Sequence, residues 1–186
     1  MGRTGTNIGS VFMANRKLIN RCWLLGAVLM AGCAPSLHPD SDDCLLRPHR
    51  CEGHFADGTS YEVLVVESSY LGDATDWWGT DGSIPRFVVL FAGVMLGNEC
   101  IVLPLECIKD LAEVSDLKME EKDGKPLLTI RGGDAAGSYL AHFTFMPDAI
   151  CRYVEHGEVG EEISEKARWD RKGKLIDRSV RNDYVK

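Results

Sequence analysis

The sequence predicts a mainly β protein: an antiparallel meander or sandwich-like sheet, with one covering helix (an α+β arrangement) as the alternative. Three observations point there. Residues 137–147, GSYLAHFTFMP, alternate with period two, setting Tyr139, Ala141, Phe143 and Phe145 against Ser138, Leu140, His142 and Thr144. Asp123-Gly124 separates two alternating runs, the signature of a tight hairpin turn. Residues 60–71, SYEVLVVESSYL, are rich in β-branched side chains and suit a central strand.

The other elements follow in chain order. Residues 72–85, GDATDWWGTDGSIP, read as a polar loop around Trp77 and Trp78. Residues 86–96, RFVVLFAGVML, are apolar almost throughout and leave strand and helix open. Residues 100–108 read as extended, with Pro104 forcing an edge, bulge or break. After the hairpin at Asp123-Gly124, residues 131–138, RGGDAAGS, read as a connection rather than a phosphate-binding turn, since the fixed spacing and following helix are missing. Residues 149–156 supply a further strand. A second hairpin turns at Lys172-Gly173-Lys174 and sets Trp169 near Leu175 across its ladder.

The first third is organised differently. Residues 1–32 hold Arg3, Arg16, Lys17 and Arg21 and no acid, and residues 22–31, CWLLGAVLMA, form an apolar run too short to span a bilayer comfortably. A cationic start, a short apolar core and small residues before a polar stretch describe a secretory signal peptide. Met13 makes a better-proportioned start, so residues 1–12 read as an extension preceding it. The expected division is a signal peptide over 1–32, a tether over 33–51 and a single β-rich periplasmic domain over 52–186.

Residues 29–34, LMAGCA, resemble the lipobox of bacterial lipoproteins, departing from it by Met30 where leucine is commonest. The resemblance implies cleavage before Cys33, a diacylglyceryl thioether on its sulfur and acylation of the new amino group. Ala34, where aspartate would retain the protein at the inner membrane, implies carriage to the outer membrane, facing the periplasm. The bilayer is then a partner through the acyl chains. The likeness covers only the export tag.

An oxidising compartment permits disulfides. Cys44, Cys51, Cys100, Cys107 and Cys151 are the candidates, and the gaps 44–51 and 100–107 are equal, although spacing does not decide connectivity. From residue 33 onward the chain has 17 basic against 28 acidic side chains, a net charge of −11. That balance argues against a nucleic-acid partner, whose phosphates require a basic surface. Residues 155–165 are acidic and 166–186 basic, which suits either pairing across a sheet or orientation of a protein partner.

No motif for a cofactor or metal is visible, and none is expected: there is no His-Glu-x-x-His, no Gly-x-Ser-x-Gly and no Gly-Lys-Ser/Thr loop. No catalytic residue is assigned. Asp134, Ser138 and His142 fail as a nucleophilic set, because residues four apart on a strand stand about 13 Å apart. Trp77 and Trp78, with Asp76 and Asp81, are the candidates for partner recognition, since tryptophan is a common hot spot; the alternative is that both rings pin the loop. The leading expectation is a membrane-anchored, non-enzymatic protein-binding module, such as an immunity or inhibitor protein. A periplasmic hydrolase of cell-wall or glycan material and a structural envelope component are the alternatives.

Overall fold

A computed structural model describes residues 45–70, 72, 77–80, 83–133, 137–156 and 163–180. The described elements are strands and one short 3-10 turn. A four-stranded sheet holds β1 (Leu46–His54), β2 (Ser60–Ser69), β3 (Phe87–Leu96) and β4 (Glu99–Val102) in chain order. The turn, η1 (Leu105–Cys107), follows. A six-stranded sheet then runs β5 (Val114–Lys122), β6 (Lys125–Gly132), β7 (Tyr139–Phe145), β8 (Ala149–His156), β9 (Ile163–Asp170) and β10 (Leu175–Val180), again in chain order and antiparallel throughout. The chain is a meander folded once on itself, and among the described residues no helix covers either sheet.

The physics of each element is local. Asp123 and Gly124 both take positive φ, 53° and 70°, as a tight primed turn requires. Trp169 and Leu175 are register partners. The apolar run of β3 settles as a strand because β2 and β4 flank it and complete its backbone hydrogen bonds. Pro104 stops β4. β1 departs from expectation: the stretch assigned to the tether contributes a strand from Leu46. Its Pro48 is accommodated because β1 pairs through hydrogen bonds with β2 alone.

The sheets share one core. Val63 and Val65 of β2, Val94 of β3, Leu128 and Ile130 of β6 and Phe143 of β7 are buried in the same cluster. Each fully buried aliphatic or aromatic side chain of this kind contributes about 1.5–3 kcal/mol of transfer free energy. β1 and β5 meet where the Cys51 thiol reaches the backbone of Met119.

The segment joining the sheets, residues 103–113, is the keystone. Its last part pairs with β3, through Val89 N–H to Leu111 O at 2.9 Å and Glu113 N–H to Phe87 O at 3.1 Å. On its other side Trp78 N–H donates to Asp110 O at 2.8 Å, and Ala112 N–H donates to Trp78 O at 2.9 Å. Glycines permit the close approach. A Cβ on Gly79, whose φ is +105°, would meet Ala112 O at 2.4 Å, and one on Gly132 would meet the Tyr139 ring. Gly132 thus has a packing reason inside the glycine-rich stretch.

Candidate partner-binding surface

Several charged side chains lie inside the sandwich. Arg152, on the inward face of β8 with Ile150 and Val154, is 2% exposed. Asp110 grips it with both carboxylate oxygens, Cys107 O accepts from Nη1 at 2.9 Å, and Glu165 of β9 binds Nη2. Arg178 of β10 holds the other Glu165 oxygen at 2.6 Å. The guanidinium also lies 5.3 Å from the centroid of the Trp169 ring. Burial alone would make Arg152 easier to deprotonate, but Asp110 and Glu165 outweigh it and hold the proton more firmly.

A second group sits at the other end of the crossover. Glu67, fully buried on β2, accepts from Val114 N–H at 2.7 Å and meets His49 Nε2 at 2.8 Å. Between the two groups, Tyr139 donates its hydroxyl to Ala112 O at 3.1 Å. Burial, with Glu67 and Asp110 nearby, pushes the Tyr139 phenol well above its usual range. These charges hold the crossover in place. Each buried charge lies within 4 Å of an opposite one, Arg152 with Asp110 and Glu165, Glu165 also with Arg178, and Glu67 with Arg47 at 3.8 Å, which is the condition for burying them.

The outward face of the six-stranded sheet is polar. His142 shares Nδ1 with Thr129 Oγ1 at 2.9 Å, stacks on Tyr153 at 4.4 Å between centroids, and has Nε2 3.8 Å from Glu155. Burial holds His142 below the ordinary histidine range, against the pull of Glu155. Among the described residues, no three His, Cys, Asp or Glu side chains are placed to hold a metal ion.

The candidates named from sequence distribute as follows. Trp78 is half-buried, packs against the core and lies 5.2 Å from His156 between ring centroids, so its ring and backbone both pin the loop. Trp77 is half-buried edge-on to Tyr70 at 5.2 Å, and its indole N–H is buried without an acceptor among the described residues. Asp76, Asp81, Cys33 and Cys44 lie outside the described residues. No disulfide joins Cys51, Cys100, Cys107 and Cys151 to one another. The equal gaps therefore do not mark a 100–107 bridge: Cys107 is sealed in the core, while Cys100 is half-buried on β4. Burial pushes the Cys107 thiol up to about 12.

A surface that sequence reasoning missed lies where β4 ends and the β9–β10 hairpin returns. The hairpin touches the crossover: a Cβ on Gly173 would meet Pro104 Cβ at 2.7 Å. Around this contact Val102, Leu105, Leu175 and Ile176 are 43–51% exposed. β4 and β10 are the outer strands of their sheets on this side. The side chains from Leu175 to Ser179 are all exposed, as an outer strand allows, and the β9–β10 register shifts between Leu175 and Asp177. Which strands lie at the outside of a sheet is not visible as composition, so alternation alone did not find the patch. No family model matches the chain, and neither a curated protein nor a solved structure matches it.

Proposed function

We propose that this chain is a lipid-anchored envelope protein that holds a protein partner without transforming it. The anchor reading rests on Cys33 and the lipobox-like residues before it. The observation that supports binding is the group of exposed aliphatic side chains around Pro104, flanked by the outer strands β4 and β10. Clustered exposed apolar side chains mark interaction sites in soluble domains, and free strand edges accept a further strand from a partner. The acidic excess from residue 33 onward favours a basic partner, in keeping with an inhibitor or immunity role.

The test places a photo-crosslinking residue at Leu105 of the acylated protein in its own envelope. One discrete protein adduct is expected. Its yield falls about tenfold or more in a Leu175→Glu variant, the loss of one hot-spot contact, with an unchanged thermal transition. Adduct yields that are indifferent to Leu175→Glu would overturn the assignment of this surface. Covalent turnover of the captured molecule would overturn the non-enzymatic reading.

A further inference from the structure

The opposite end of β3 presents a different surface. Phe87 opens β3 and lies beside Ser69, which closes β2, and Ser69 N–H donates to Leu45 O at 3.0 Å. Tyr70 N–H donates to Arg86 O at 2.9 Å. The start of β1, the end of β2 and the approach to β3 therefore meet at one tip. Leu45, Leu46 and Ile84 are 55%, 52% and 54% exposed there, the three most exposed large aliphatic side chains of the described residues.

Two guanidinium groups accompany them. Arg86 is 84% and Arg47 46% exposed. Their carboxylate neighbours point inward: Glu113, 20% exposed, lies 3.9 Å from Arg86 and 4.0 Å from Arg47, and fully buried Glu67 lies 3.8 Å from Arg47. Among the described residues, the outward charge of these pairs is thus positive. Trp77 and Tyr70 pack edge-on just behind, with the Trp77 indole N–H buried. Exposed aliphatic residues with basic heads beside them are the composition of a surface that sits at a bilayer interface.

We infer that this tip rests on the phospholipid bilayer and fixes the orientation of the folded body. The inference rests on the anchor reading above, because chain length then places lipid at the tip. Leu45 lies twelve positions after Cys33. That length of chain spans at most about 40 Å. The acyl chains hold the tip within that distance of the membrane, so weak insertion of three aliphatic side chains becomes an intramolecular event. Leu45 is the first described residue after Cys33, so this tip is the described part of the body nearest the anchor along the chain. Val102, on the Pro104 surface, pairs with Gly93, about 20 Å along β3 from Phe87.

The test uses the acylated protein in phosphatidylethanolamine–phosphatidylglycerol vesicles, with a photo-crosslinking residue at Leu46, Ile84 or Lys125, the last opening β6 just after the β5–β6 turn. Phospholipid adducts are expected at Leu46 and Ile84, at least about fivefold above Lys125, with unchanged thermal transitions. Adducts to protein instead, or equal lipid yields at all three sites, would overturn the inference. Intact mass of the same material separates the two readings. Acylated protein without lipid adducts at the tip removes the orientation alone, whereas protein without acyl groups removes the anchor and the inference with it.

Discussion

Asp110 binds Arg152 through both carboxylate oxygens, 2.5 Å from Nη1 and 2.8 Å from Nη2, across 42 residues of chain. The pair ties the crossover between the sheets to the middle of β8. Arg152→Ala leaves Asp110 and buried Glu165 without their shared cation, and breaking a buried ion pair from one side costs about 3–5 kcal/mol. The expected result is a loss of that size in urea unfolding free energy, partly recovered when Glu165→Leu is added. A loss under about 1 kcal/mol would mean that the crossover is held by packing alone.

Gly79 follows Trp78 and lies against Ala112 O with φ +105°. Gly79→Ala combines an unfavourable backbone conformation with a backbone clash, costing roughly 1–3 kcal/mol or more. Gly58 provides the control, because it also has a positive φ, +86°, but open space around it. The unfolding midpoint is expected to fall further for Gly79→Ala than for Gly58→Ala. Equal losses would show that the close approach to Ala112 carries no cost.

His142 gives stability a pH dependence of known sign. Its folded-state pKa lies below the ordinary value because burial disfavours the imidazolium, with Lys122 acting the same way and Glu155 and Glu120 opposing. Between the two values the unfolded chain binds more protons, so this contribution is present above about pH 6.5 and is lost as pH falls below it. His142→Gln is expected to flatten the decline in urea midpoint between pH 7.5 and 5.5. Parallel curves for the two proteins would contradict that origin.

Cys107 is sealed and its thiol is pushed up to about 12 by burial, so the thiolate is scarce at neutral pH. In native protein at pH 8, iodoacetamide is expected to leave Cys107 unmodified until the chain unfolds. Peptide mapping before and after urea checks this. Rapid native labelling at Cys107 would require an open path into the core that the packing does not show.

Much of the strand order was legible because turns and alternation are local. Asp123-Gly124 named its hairpin, and Lys172-Gly173-Lys174 placed Trp169 against Leu175. The apolar run of β3 could not choose between strand and helix on its own, and pairing with β2 and β4 decides it. β1 escaped notice because Pro48, His49 and Arg50 break any apolar rhythm and the strand takes its backbone partners from β2 alone. Arg152 shares the inward parity of Ile150 and Val154, a signal present in the sequence but meaningful only once Asp110 and Glu165 converge on it. The tryptophans illustrate the converse: their polar, glycine-rich setting left recognition and pinning of the loop both open, and only backbone pairing with Asp110 and Ala112 draws Trp78 toward the core. The Pro104 surface depends on which strands end up outermost and on a loop contact, neither of which composition records.

The proposed placement of this protein at a membrane depends on one sulfur atom, and intact mass spectrometry of the protein purified from its native host tests it most directly. The account predicts a chain beginning at Cys33 and carrying a diacylglyceryl group, with or without a further acyl chain on the amino terminus, and predicts loss of that mass in a Cys33→Ser variant. An unacylated chain that still carries residues 13–32 would contradict it.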